Sequence, residues 1–239
     1  MTSGEGPYCY DYPRPAVTVD LVVFAWVERE VRVLLIRRRH PPFAGHWALP
    51  GGFLDMEERA AEAAVRELRE ETGLADPGPV AFLGVYDEPR RDPRGRTISL
   101  AHAAVTRGPV PHVQAGDDAA EAAWLHPIWL DQPREGERVP IMPVTTRLAF
   151  DHDRILTDAL GWLAHGVWKG TLGVDLLPDE FTTEELRTLL METTGRGASR
   201  DAKAWLTRAA RAGHVAAQPA RGLFAVVNRS PAAGSPKPR

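Results

Sequence analysis

Cysteine is almost absent from this chain: Cys9 stands alone among 239 residues. That excludes an internal disulfide framework and any cysteine-rich zinc site, and it fits a reducing, cytoplasmic setting. Long apolar runs are missing too. None approaches the roughly 20 residues a membrane helix needs, so no membrane partner is expected. The opening stretch MTSGEGPYCYDYPRP lacks the basic start and apolar centre of a signal peptide, and residues 1–14 read as a flexible tail. Neither sign of charge dominates the whole, at a formal net of −3, yet the balance is uneven along the chain. From Glu180 onward ten Arg and Lys side chains stand against five acidic ones, a net of +5 that leaves −8 for residues 1–179. An acidic body with a basic end suggests two modules and permits contact between the second and nucleic acid.

What is present is a globular pattern. The 44% hydrophobic content supports a real core, and the length suits one large domain or one with a small partner. AVTVDLVVFAW (16–26) and VRVLLIRR (31–38) are β-branched runs joined by the polar VERE, which predicts a hairpin. After a Pro-Pro loop, HWALPGG stops at Pro50 and a glycine pair. Residues 57–72 lack helix breakers and predict a helix. PVAFLGVYD and RTISLAHAAVTRG read as strands around the loop EPRRDPRGR, and AAWLHPIWL as a short strand and turn. Strands in mixed order with an inserted helix favour an α/β or α+β sandwich. Residues 147–167 place Leu148, Ile155, Leu156, Leu160 and Leu163 at helical spacing. Beyond them, Thr182 and Glu185 form a capping box, SRDAKAWLTRAARAG gives a helix capped at Ser199 and ended by Gly213, and HVAAQPARGLFAVVN gives a hairpin. Helix, turn, helix, hairpin is the order of a winged helix. The final RSPAAGSPKPR is compositionally disordered. The expected division is therefore a tail (1–14), a first domain (15–168), a winged-helix-like domain (169–229) and a second tail (230–239).

The chemistry concentrates in GGFLDMEERAAEAAVRELREETGL, residues 51–74. On a helix, positions i, i+3 and i+4 share a face, so Glu67, Glu70 and Glu71 converge. Three like charges there repel one another unless a cation compensates. Mg2+ or Mn2+ suits carboxylate oxygens and keeps waters for a phosphorylated substrate. Ala64, Val65 and Leu68 lie on another side and can anchor the helix, while Arg66 can brace a carboxylate. Glu57 and Glu62 fall outside this set and read as solvated. Glu58 is open between a site role and a capping box with Asp55.

Gly52, Glu58, Arg66-Glu67, Leu68, Glu70-Glu71, Gly73 and Leu74 stand at the spacing of the Nudix box, and the segment resembles that box at every defined position. YPRPAVTVDLVVF, HPPFAGHWALPGGF, YDEPRRDPRGRTISLAH and AGDDAAEAAWL together look like the ADP-ribose pyrophosphatase branch of the Nudix hydrolases. In particular they resemble the Nudix-related regulators of NAD metabolism, whose Nudix domain precedes a winged helix. The resemblance covers residues 12–165 well and 178–227 more loosely. It implies an α/β/α sandwich with a mixed sheet, a bound divalent metal, and hydrolysis of a nucleoside diphosphate linked to another group. By position, Gly52, Glu67, Glu70 and Glu71 would hold metal, Glu67 would also be a base, and Arg66 would orient a glutamate.

Other residues are candidates for substrate. RRDPRGR offers Arg90, Arg91, Arg94 and Arg96, suited to phosphate or ribose by charge and fork geometry. Asp117, Asp118 and Glu121 could supply a further ligand or water-activating base. Trp47 or Phe43 could stack on adenine, although a core role competes for both. Arg37 or Arg38, at a strand end, could meet a phosphate. The expected reaction is water attack on one phosphorus of ADP-ribose, giving AMP and ribose 5-phosphate. The rival class is a repressor that senses ADP-ribose, but an intact box favours catalysis. The helix SRDAKAWLTRAAR keeps only Arg200, Lys203, Arg208 and Arg211 with Asp201 among them, and AAQPARGLF keeps only Arg221. Phosphate contacts carry most DNA affinity, so operator binding should be weak or absent. Related proteins commonly dimerise, so a homodimer is expected.

Overall fold

The computed structural model describes residues 11–107, 112–116, 119–126 and 148–229. Both predicted tails lie largely outside this set, as do Cys9, Asp117, Asp118 and the end of the run AAWLHPIWL. The first half runs β1 (Ala16–Val27), β2 (Glu30–Arg38), β3 (Trp47–Ala48), β4 (Gly51–Phe53), α1 (Ala60–Thr72), β5 (Ala81–Tyr86), β6 (Thr97–Val105) and β7 (Ala119–Leu125). It continues with α2 (His152–Lys169), α3 (Thr171–Leu176), β8 (Glu180–Phe181), α4 (Thr183–Thr194), α5 (Ser199–Arg211), β9 (Val215–Gln218) and β10 (Leu223–Val226).

β1 is buried on both faces because its two alternating sets are both apolar. Val19, Leu21 and Val23 pack with Ala63, Ala64 and Leu68 of α1. Val22 and Phe24 join Leu156, Leu160 and Leu163 of α2 on the other side. The sheet between these helices has the order β3-β2-β1-β6-β5, with β4 on β1 and β7 on β2. Only β1 and β6 pair in parallel among the described pairs, so the sheet is mixed. This is the predicted α/β/α sandwich. The β1–β2 hairpin turns through Glu28 and Arg29, both at positive φ (50° and 68°), as a two-residue turn matched to strand twist requires.

Helix boundaries shifted for identifiable reasons. α1 starts at Ala60 rather than 57, because Glu62 accepts the Arg59 N–H at 3.0 Å while Glu58 turns back to accept the Asp55 N–H at 2.9 Å. α1 ends at Gly73, whose φ of 72° is the left-handed cap that glycine tolerates best. In α4 the Thr182–Glu185 capping box is complete, with Thr182 N–H donating to Glu185 at 2.8 Å and Glu185 N–H returning to Thr182 Oγ1 at 3.1 Å. In α5, Ser199 is the first helical residue rather than the cap, which is Ala198. The six-residue α3 was not anticipated, since a short apolar turn with an internal glycine carries no periodic signal.

β8, β10 and β9 form a small sheet beside α4 and α5, a winged-helix-like arrangement. It does not stand apart: one apolar cluster runs from Val22 and Phe24 through α2 to Leu186, Leu189 and Trp205. Trp205 is fully buried, and its indole N–H donates to the Val167 carbonyl near the end of α2 at 2.8 Å.

Candidate active site

A cavity of about 370 Å³ opens between α1, β4, the loop around Arg91 and Arg94, and the first turn of α2. Glu67 and Glu71 face it from α1, on the same inward side as the buried Ala63, Ala64 and Leu68. Arg66 organises the acidic cluster: its guanidinium clasps both oxygens of Glu58 (3.0 and 2.6 Å), donates to Glu67 at 2.8 Å and Glu70 at 3.1 Å, and reaches the Phe53 carbonyl at 3.1 Å. The Arg66 bond, ahead of the Asp55 N–H, holds the Glu58 carboxyl below its ordinary range. Glu71 is buried, and its Oε2 accepts the Gly51 N–H at 2.9 Å. Burial, reinforced by Glu67 and Asp20, pushes its pKa up to about 8. Burial also raises Glu67, against the pull of Arg66. Gly52 lies so close to the Glu67 carboxylate that a Cβ there would push the carboxylate aside.

The opposite wall comes from residues outside the box. Asp20 on β1 accepts the Ser99 hydroxyl and one Arg91 nitrogen at 3.4 Å, and its Oδ1 lies 3.3 Å from His152 Nε2. Arg91 is itself buried and doubly bonded to Asp151, at 2.6 Å for its closest contact. Phe150, at a positive φ of 56°, carries Arg38 at 4.9 Å and Arg94 at 5.8 Å on its ring, and Arg94 also approaches Phe53 at 5.7 Å. The Thr18 hydroxyl, in the same wall, is buried with no hydrogen-bond partner among the described residues.

The family model of the NUDIX domain matches residues 16–144, more than half of the chain. The chain belongs to the Nudix family. It is 40% identical over 151 residues to an ADP-ribose pyrophosphatase of Methanocaldococcus jannaschii, covering 63% of this chain and 76% of that protein. It is also 31% identical over 183 residues to the ADPR responsive transcriptional repressor NtrR of Acinetobacter baylyi, covering 75% of this chain and 66% of the repressor. Among solved structures, a MutT/nudix family protein from Enterococcus faecalis superposes with a TM-score of 0.75 at 25% identity, over 92% of this chain and 89% of that one. That coverage includes the C-terminal module as well as the Nudix sandwich.

Within this Nudix frame the sequence candidates separate. Gly52, Arg66, Glu67, Glu71, Arg38, Arg91 and Arg94 line the cavity, and Glu70 is tied to it through Arg66. Arg37 does not line it, because β2 turns that side chain outward to Glu121 on β7, at 3.8 Å. Glu121 is exposed on β7 and does not line the cavity. Trp47 packs against the core through β3, and Phe43 packs on Phe150 at 4.9 Å. Arg96 donates to the Asp87 carbonyl at 2.5 Å, outside the cavity. Asp118 lies outside the described residues. Thr18, Asp20, Phe53, Phe150, Asp151 and His152 were not singled out from sequence. The one available signal was Asp20, a charge inside an otherwise apolar strand.

The donor set suits a hard divalent cation. Glu67 and Glu71 crowd one wall, where Arg66 is bonded to Glu67 and the Arg38 charge offsets only part of the rise that burial and Glu67 impose on Glu71. Their bonds use Oε1 of Glu67 and Oε2 of Glu71, which leaves the second oxygen of each available. Among the described residues no three His, Cys, Asp or Glu side chains stand grouped to hold a metal ion, and Glu70 is bonded to Arg66 at 3.1 Å.

Proposed function

We propose that this Nudix protein hydrolyses the pyrophosphate of ADP-ribose, or of a related NAD-derived dinucleotide, with Mg2+ or Mn2+. The observation that carries the reading is the intact acidic face of α1 turned into a cavity whose other wall bears arginines. Its likeness to an ADP-ribose pyrophosphatase over most of that protein supports the substrate class.

Gly52, Glu67, Glu70 and Glu71 would hold the metal, which would neutralise charge building on the phosphate oxygens. Arg38 and Arg94 face the diphosphate, Arg94 oriented by Asp92 at 2.7 Å, while the buried Arg91, bonded to both Asp151 and Asp20, stiffens the wall. Phe53, half exposed beside the cavity, offers an apolar face for the base. Glu67 receives the proton of the attacking water at its open oxygen, and burial, which raises its pKa against the pull of Arg66, makes it a stronger proton acceptor than a solvated carboxylate. The water oxygen bonds to one phosphorus, the bridging P–O bond breaks, and AMP and ribose 5-phosphate leave. Release of AMP from ADP-ribose with Mg2+, reduced about 10²-fold or more by Glu70→Gln, tests this; no turnover of any dinucleotide with metal present would sink it.

A second reading, an ADP-ribose-sensing repressor of NAD-metabolism genes, draws on the NtrR likeness and on one structural observation. α2 begins at His152 in the cavity wall and ends beside Val167, whose carbonyl receives the Trp205 indole of α5. A bound ligand thus has a rigid rod leading to the helix that a winged helix lays on DNA. Against it, the basic face is thin. Arg208 is folded onto Trp168 at 4.8 Å, and Arg221 is bonded to Glu180 at 2.5 Å. Salt-dependent DNA binding that ADP-ribose relieves would favour this second reading.

A further inference from the structure

The glycine loop that faces α1 is held from behind by a histidine that no part of the Nudix box contains. Leu49 is buried, and its backbone N–H donates to His152 Nδ1 at 2.9 Å. Pro50 has no N–H, its carbonyl accepts the Leu21 N–H at 2.9 Å, and the Gly51 N–H goes to Glu71. The stretch Leu49–Gly51 is therefore pinned at three successive points, to His152, β1 and α1. Gly52 follows directly, pressed against Glu67 with no room for a Cβ. A displacement of Leu49 is thus transmitted along the backbone to the peptide beside Glu67.

The imidazole can accept at Nδ1 only in one tautomer. A proton on Nδ1 would set two donors against each other at 2.9 Å, so the ring must carry its proton on Nε2. That nitrogen lies 3.3 Å from Asp20 Oδ1, the acceptor such a proton needs. Asp20 is fixed in turn by Ser99 and Arg91, and Arg91 by Asp151, the residue before His152. Burial holds the imidazole below its ordinary pKa, in spite of Asp20, which keeps the ring neutral.

We propose that His152 is a positioning residue for the metal-binding loop: through the Leu49 N–H it sets the Gly51-Gly52 backbone against Glu67 and Glu71, and Asp20 selects the tautomer in which it can do so. This rests on the metal-site assignment made above, and concerns a contact that assignment does not include. Outer contacts of this kind are worth about 10- to 100-fold in metal affinity or activity.

The test uses the full chain. In ¹⁵N-histidine NMR at neutral pH, the resonance lost in His152→Asn should be that of a neutral ring protonated at Nε2; a ring protonated at Nδ1 overturns the proposal. His152→Asn keeps an acceptor oxygen where Nδ1 was, whereas His152→Leu removes it. Mn2+ affinity, read from the electron paramagnetic resonance of the free ion, should fall about tenfold in folded His152→Leu and recover in His152→Asn. With ADP-ribose, kcat should fall in the leucine chain more than KM changes. Parental Mn2+ affinity in folded His152→Leu, or equal losses in both variants, overturns the proposal. Should the leucine chain fail to fold, near-parental Mn2+ affinity in His152→Asn supports it and a tenfold loss overturns it. A wild-type chain that binds Mn2+ but releases no AMP sinks the hydrolase reading alone.

Discussion

At the scale of single residues, the site turns on two crowding effects with opposite remedies. Gly52 gives up its side chain so that Glu67 can press against the backbone, and Gly52→Ala should leave the fold intact while cutting activity about tenfold or more, as circular dichroism and AMP release would show. Glu71 keeps its side chain and gives up its charge. Its folded pKa of about 8 stands above the ordinary glutamate value of 4.5, so the folded state binds the extra proton between those limits. The metal-free protein should therefore lose stability as pH rises through that window, which denaturant melts across pH would register. Because ligation requires the carboxylate, Mg2+ affinity should rise over the same range, by up to about tenfold per pH unit, and level off above about 8. An affinity independent of pH would contradict this. The carboxylates were legible in sequence because helical spacing alone brings Glu67, Glu70 and Glu71 together. Asp20, Phe150 and His152 were not, because only the packing of β1 against the first turn of α2 makes them neighbours.

Elements show the same contrast between local and long-range specification. The hairpin, α1 and the α4 capping box are written in neighbouring residues, and each formed there, with α1 starting at Ala60 rather than 57. The fate of Arg37 and Glu121 depended on pairing between β2 and β7, which turns both outward, and no local pattern encodes that choice. Glu28 and Arg29 hold left-handed conformations that neither prefers. Replacing them with Asn-Gly should stabilise the chain by roughly 0.5–1 kcal/mol, seen as a rise in melting temperature. Trp205→Ala should cost about 3–5 kcal/mol, since it empties a fully buried site and removes the bond to Val167. The apolar cluster joins both modules, so that loss should appear in one unfolding transition of the whole chain rather than in a separate C-terminal step.

Taken whole, the molecule couples a Nudix sandwich with an acidic cavity wall to a winged-helix-like module whose α5 carries few cations. On α5 the exposed basic residues other than Arg208 are Arg200, Lys203 and Arg211. A helix so equipped neutralises few phosphates, so the slope of log K against log salt should not exceed about 3 in magnitude for each chain, and binding at physiological salt should be weak. Tight, ADP-ribose-relieved binding to DNA upstream of NAD-biosynthesis genes would reverse the ranking of the two readings. The hydrolase reading is tested most directly by following ADP-ribose with ³¹P NMR in the presence of the full chain and Mg2+. The pyrophosphate signals should give way to two phosphomonoester signals in equal amount, those of AMP and ribose 5-phosphate, at a rate that Glu70→Gln nearly abolishes. Pyrophosphate signals that persist unchanged at every metal concentration and pH tried would contradict it.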